Sequence, residues 1–180
     1  MEIIIDKTDI TGKIKPMHCI NNAPSFDDEV LFETLTDAGI PYSRLHDTFV
    51  LHYDRLVDVP NVFPDFDADE NDPASYDFAF TDVFLKNLVA AGVKPFYRLG
   101  VSIENYRSIK PYRISPPKDY NKWAKICEHI IMHYNEGWAD GFRYNIEYWE
   151  IWNEPDNFPD ARDNQMWTGD AEDYINLYIT

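Results

Sequence analysis

Tyr148-Trp149-Glu150-Ile151-Trp152-Asn153-Glu154-Pro155 is the stretch that decides how this chain folds. Its first five residues form an aromatic-rich run suited to a buried strand, and its last three end that strand on a carboxylate. Pro155 has no amide donor and disfavours helical geometry in the residue before it. The ladder should therefore stop there, with the Glu154 side chain facing a mouth instead of a core. Where strands and helices alternate around a barrel, chemistry sits at that carboxyl end. Flanking indoles suit a sugar platform, since their faces can cover a pyranose while the N–H remains free to donate. The plainer alternative is a hydrophobic strand with a charged exit loop.

Working outward, an apolar stretch around Pro16-Met17-His18-Cys19-Ile20 predicts a short first strand within residues 13–22. Ser25 and Asp28 resemble a capping box, and Leu31, Leu35 and Ala38 then recur at helical spacing up to Gly39. Gly39 leads into residues 40–46 and Gly92 into residues 93–100, so the same helix-end-to-strand junction occurs twice. Between them, Phe80, Val83, Phe84, Leu88 and Ala91 trace one face of a second helix. After Pro116-Pro117, the spacing of Trp123, Ile126, Cys127, Ile130 and Tyr134 predicts a third helix that stops near Gly137. The fourth strand carries Glu154. Residues 170–180 begin a fourth helix, in which Tyr174, Ile175, Leu177 and Tyr178 continue without a stop signal.

Strands alternating with helices place the chain in the α/β class with a parallel sheet, and the spacing of the units favours a (β/α)8 TIM-barrel type over a doubly wound sheet. No glycine-rich phosphate loop follows any strand, which weighs against nucleotide binding. A closed barrel takes about 250 residues, and this chain has 180. Residues 1–180 are therefore expected to supply the first four units, the N-terminal half of one catalytic domain truncated in the fourth helix. A half barrel leaves strand edges and apolar interior uncovered, so self-association into a homo-oligomer through those edges is expected.

Sixteen basic against thirty-two acidic side chains give a net charge of -16. That charge repels nucleic acid and anionic membrane surfaces, and it suits a neutral partner. No apolar run has the length of a membrane span, and the first six residues lack a signal-peptide pattern, so a cytoplasmic location is the expectation. Cys19 and Cys127 read as small buried side chains and support neither a disulfide framework nor a zinc site. Residues 65–72 alternate aspartates as a calcium loop begins. Glu70 then replaces the glycine such a loop needs and Tyr76 its closing glutamate, so a solvated loop is expected, able to shape access to a site. No metal and no cofactor is called for.

Among the carboxylates, Glu150 lies inside the strand, where a charge must be paired, with Arg44 and Arg98 as candidate partners on neighbouring strands. Glu147 opens the strand at the far end and reads as solvated. Glu104 follows the third strand and could line the mouth. Arg44 and His46 share one face of the second strand, where they could contact a sugar and orient a carboxylate, or form a structural network with Asp47. His18 reads as a satisfied core histidine. Trp149, Trp152, Phe158 and Trp167 could supply stacking surfaces, although Trp149 could equally pack inward.

Arg44-Leu45-His46-Asp47, the run from Pro116-Pro117 to Trp123, Trp152-Asn153-Glu154-Pro155, and Met166-Trp167 leading to Tyr174-Ile175-Asn176-Leu177-Tyr178 together resemble glycoside hydrolase family 39, which holds β-xylosidases and α-L-iduronidases. The likeness spans residues 40–180. It implies a (β/α)8 barrel enzyme that retains anomeric configuration and acts on a terminal sugar of an oligosaccharide or glycoside, a β-xyloside first of all. By the same resemblance Glu154 is the general acid/base, Asn153 holds the sugar 2-hydroxyl, and Arg44 and His46 lie in the substrate pocket. The nucleophile of such enzymes comes from a seventh strand, absent from these 180 residues. The chain alone is then expected to be nearly inactive. The alternative is a non-catalytic carbohydrate-binding or self-associating half-barrel module.

Overall fold

Six residues from Lys94 to Leu99 form the central strand β5, and every other element takes its place from it. In the computed structural model, which describes residues 8, 10–13, 15–22, 24, 29–46, 49–50, 54–55, 57–102, 114–160 and 163–180, a four-stranded parallel sheet runs in the order β1 (Ile20–Asn21), β2 (Tyr42–Leu45), β5, β6 (Tyr148–Ile151). Spatial order equals chain order, as strand-helix-strand units require. The helices are α1 (Glu29–Asp37), α3 (Ala79–Ala90), α4 (Tyr120–Asn135) and α5 (Ala171–Ile179). The fold is α/β, with four parallel strands alternating with helices as in part of a TIM barrel.

The strands set the register of the site. Arg44 lies level with Phe96 and Tyr148, and Arg98 lies level with Glu150. Since alternate residues share a face, Leu45, Tyr97 and Leu99 point to the helices and are buried with Phe84, Leu85, Leu88, Trp123, Ile126, Ile130 and Tyr134. The opposite row carries Tyr42, Phe96 and Tyr148, whose rings meet edge-on at 5.4 Å and stacked at 5.3 Å. Tyr148 remains 46% exposed on this inner face. On their own strands, charged Arg44 and Glu150 follow Tyr42 and Tyr148 by two residues toward the carboxyl end.

The helices start where their caps place them. Asp119 accepts from the Lys122 amide to open α4, and a reciprocal Asp170–Asp173 capping box opens α5. Gly39 and Gly92 end α1 and α3 in left-handed backbone (φ +63° and +78°), which explains the repeated junction. The capping box expected at Ser25 and Asp28 lies outside the described residues.

Several expectations are corrected in detail. The first strand is only Ile20–Asn21, with Met17 and Cys19 exposed; Cys127 is buried as expected. In α1 the inward residue is Phe32 and not Leu31, and in α3 Phe80 and Val83 are exposed while Leu85 is fully buried. A short antiparallel pair, β3 (Phe49–Val50) with β4 (Asp54–Arg55), and a four-residue helix α2 (Val59–Val62) interrupt the second unit.

From there the chain crosses onto the third unit. Asp65 and Asp69 each accept the amide two residues on, and Lys122 Nζ donates to the Ala68 carbonyl at 2.6 Å and pairs with Glu70 at 3.2 Å. Tyr76 closes the strap with its hydroxyl 3.1 Å from His129 Nδ1. The acidic stretch is thus a series of aspartate turns tied to α4 by Lys122.

Candidate active site

At the end of β6 the Trp152 amide donates to the Leu99 carbonyl at 2.6 Å, extending the ladder by one bond. The backbone then turns left-handed twice, at Trp152 (φ +67°) and Glu154 (φ +42°), with Asn153 between them. Non-glycine residues held there cost about 1–3 kcal/mol each and persist where surrounding structure over-determines them. Asn164, itself buried, supplies that restraint. It donates to the Pro155 carbonyl at 2.8 Å and accepts from the Met166 and Trp167 amides at 2.7 and 3.0 Å.

This backbone course delivers Glu154 to solvent. Its side chain is exposed and has no hydrogen-bond or ion-pair partner among the described residues. Asn153 is buried, with its Oδ1 accepting from Arg44 Nη2 at 2.7 Å. Arg44 grips Glu150 with two parallel bonds, Nε to Oε2 and Nη2 to Oε1, each 2.7 Å. A third contact reaches Asn21 Oδ1 at 3.2 Å. Arg44, Glu150 and Asn153 therefore form one cluster at the carboxyl end of β2 and β6, directly before Glu154. His46 adjoins it: its amide donates to Asn22 Oδ1 at 3.0 Å and its carbonyl accepts from Arg98 Nη2 at 2.9 Å.

Arg98, a candidate partner of Glu150, instead pairs with Asp58. Asp58 also accepts from the Ser102 amide at 3.0 Å and its hydroxyl at 2.8 Å, so the carboxylate is filled with donors. This network ties the α2 segment to the exit of β5, helped by the Val59 amide on the Gly100 carbonyl at 2.9 Å. Gly100 itself (φ +144°) gives Trp152 room, since a Cβ there would lie 2.9 Å from Trp152 Cε3.

Trp152 does not offer the sugar platform expected of it. Its indole is 3% exposed, its Nε1–H is donated to the Met166 carbonyl at 2.7 Å, and it packs edge-on against Trp167 at 5.0 Å. Trp149 and Trp167 likewise give their N–H groups to the carbonyls of Ile146 and Asp170. Of the four aromatic candidates, Phe158 alone keeps an exposed ring, beside a cleft of about 500 Å³ between Pro155, Trp167 and Tyr174. The left-handed turn at Trp152 is the physical reason: it breaks strand alternation and turns the indole under the loop.

Other expected residues fall elsewhere. Glu147 is paired and not merely solvated. Lys94 lies 2.7 Å away and the Tyr42 hydroxyl donates at 3.2 Å; the Lys94 hydrogen bond holds the Glu147 carboxyl below its ordinary range. His18 is exposed, not in the core, with its Nε2 3.0 Å from the Gly39 carbonyl at the amino end of the sheet. Asp47 and Glu104 lie outside the described residues.

Residues 26–180 match the model of Glycosyl hydrolases family 39. The chain belongs to that family. Proteins similar to it include a Beta-xylosidase of Caldicellulosiruptor saccharolyticus, 30% identical over 58% of this chain and 21% of the relative. A Beta-xylosidase of Geobacillus stearothermophilus is 24% identical over 72% of this chain and 26% of the relative. The chain thus spans about a quarter of the length of these relatives. In three dimensions it is similar to a glucosidase from Croceicoccus marinus, with a TM-score of 0.74 and 23% identity over 94% of this chain and 34% of that one. No described helix is long and apolar enough to cross a membrane.

Asn164, Asp58 and Ser102 were missing from the sequence-derived site of this family 39 chain. An Asn two residues before Met166-Trp167 is a turn signal that could have found the first. The other two meet Arg98 only in space.

Proposed function

We propose that this chain carries the acid/base half of a retaining glycoside hydrolase that removes a terminal sugar, a β-xyloside first of all. The observation that carries the reading is the Arg44–Glu150–Asn153 cluster beside a solvent-facing Glu154, and the two β-xylosidases similar to the chain support the choice of sugar. In this mechanism Glu154 protonates the leaving oxygen, and after departure it deprotonates the water that releases the sugar. A second carboxylate about 5 Å away attacks the anomeric carbon. Glu150 is unsuited to that task, because both of its oxygens are engaged by Arg44. On this reading the nucleophile comes from outside these 180 residues, and the chain alone should be nearly inactive.

The test uses nitrophenyl β-xyloside. The 180-residue chain should release nitrophenol no faster than buffer, and joining it to a downstream half barrel that ends a strand on glutamate should restore turnover. Glu154→Gln should then lower the rate about 10²- to 10⁴-fold. Restored activity indifferent to Glu154→Gln would defeat the assignment. Absence of activity together with a melting temperature raised by xylose in both forms would favour the carbohydrate-binding module.

A further inference from the structure

Asn153 is held from one side only. Guanidinium groups carry donors and no acceptor, so the end of the Asn153 amide that lies 2.7 Å from Arg44 Nη2 is its carbonyl. The two hydrogens on Nη2 are both committed, one to Asn153 and one to Glu150 Oε1. Glu150 grips the guanidinium through two bonds and so fixes its plane, as a bidentate fork does. The remaining end of the amide, Nδ2, is screened from solvent and has no hydrogen-bond partner among the described residues. An unmet buried donor costs about 1–3 kcal/mol, which a ligand oxygen reaching it would recover.

We propose that Glu150, acting through Arg44, is the positioning residue that locks Asn153 as a one-way hydrogen-bond donor, so that this position takes an uncharged sugar hydroxyl and turns away a protonated amino group. The relay stands on geometry; the ligand clause rests on the sugar-site reading above. A hydroxyl meets Nδ2–H with a lone pair. An ammonium has none, and would place N–H against N–H with the Arg44 charge behind. Were Glu150 neutral, Arg44 would be freed to turn, the amide could flip, and the distinction would fade.

Side-chain signals of Arg44 Nε–H and Asn153 Nδ2–H in ¹⁵N-labelled chain test the relay without a ligand. Glu150→Gln keeps the shape but removes the charge, and should shift both signals and speed exchange at Arg44 Nε while backbone signals away from β6 stay in place. If both signals stay unmoved, the relay is wrong. Should Glu150→Gln not fold, Arg44→Lys, which keeps the charge but lacks the fork, is read at the Asn153 Nδ2–H signal alone, and an unmoved signal there again means that the relay is wrong.

Titration at about pH 6, where an amine is protonated, then compares xylose with 2-amino-2-deoxyxylose. Xylose should move the Asn153 Nδ2 signal at concentrations at least tenfold lower than the amino sugar, and the ratio should fall toward one in Glu150→Gln. Equal response of the wild type to both sugars would overturn the one-way donor. A relay that is present while neither sugar moves Asn153 would overturn the ligand clause and the sugar-site reading together.

Discussion

Asp58 and Arg98 form an ion pair in which neither side chain touches solvent, and it fastens the segment after β4 to the central strand β5. A buried pair is weak evidence of stability, but breaking one leaves a charge without compensation. Asp58→Asn should therefore destabilise by about 3–5 kcal/mol, read as a lower urea midpoint with unchanged slope. Asp58→Leu combined with Arg98→Met should recover most of that loss. A double variant no better than Asp58→Asn would show that the Ser102 contacts, and not the pair, hold the segment.

Gly100 and Trp152 touch across the end of the sheet, and the same contact sets where Glu154 begins. Gly100→Ala should cost about 3 kcal/mol, from left-handed strain and from a Cβ 3.0 Å from Trp152 Cα. Equilibrium unfolding checks it. A change below half a kcal/mol would mean that the strand end yields freely.

Glu154 and Trp152 are two residues apart and should respond in opposite ways. Glu154→Gln alters an exposed side chain and should change stability by less than about 0.5 kcal/mol. Trp152→Ala removes a buried indole and should cost about 3–5 kcal/mol. Thermal unfolding of the two variants side by side measures the contrast.

Burial pushes Tyr97, Tyr134, Tyr76 and the Cys127 thiol above their ordinary ranges. All four are neutral when protonated, so their contribution is complete below the unfolded values near pH 9–10. Above that the unfolded chain loses protons first, and stability falls as pH rises toward the folded values. Exposed tyrosines ionise first, and the last part of the phenolate absorbance change should coincide with the loss of circular dichroism between about pH 9 and pH 12. Ionisation of the full set of tyrosines with the fold intact would contradict their burial.

The helix α4 was legible because its apolar residues form a single stripe: Trp123, Ile126, Cys127, Ile130 and Tyr134 are all buried. In α3 the apolar residues surround the helix, so periodicity alone chose Phe80 and Val83 where packing chose Leu85. The first strand was read too long because local apolar character does not say which residues find a neighbour. Glu150 with Arg44 was among the readable pairs, since strand alternation puts both on the inner face.

Alternation, caps and the Asn153-Glu154-Pro155 stop are local, and from them the sequence by itself determined the α/β class, the four units and the strand end that bears Glu154. The pairing of Arg98 with Asp58, the inward turn of the Trp152 indole and the clamp by Asn164 were decided only in the tertiary structure. The pair and the clamp join residues separated by loops, and the indole follows the positive φ at Trp152, so none of the three rests on a periodicity the chain carries.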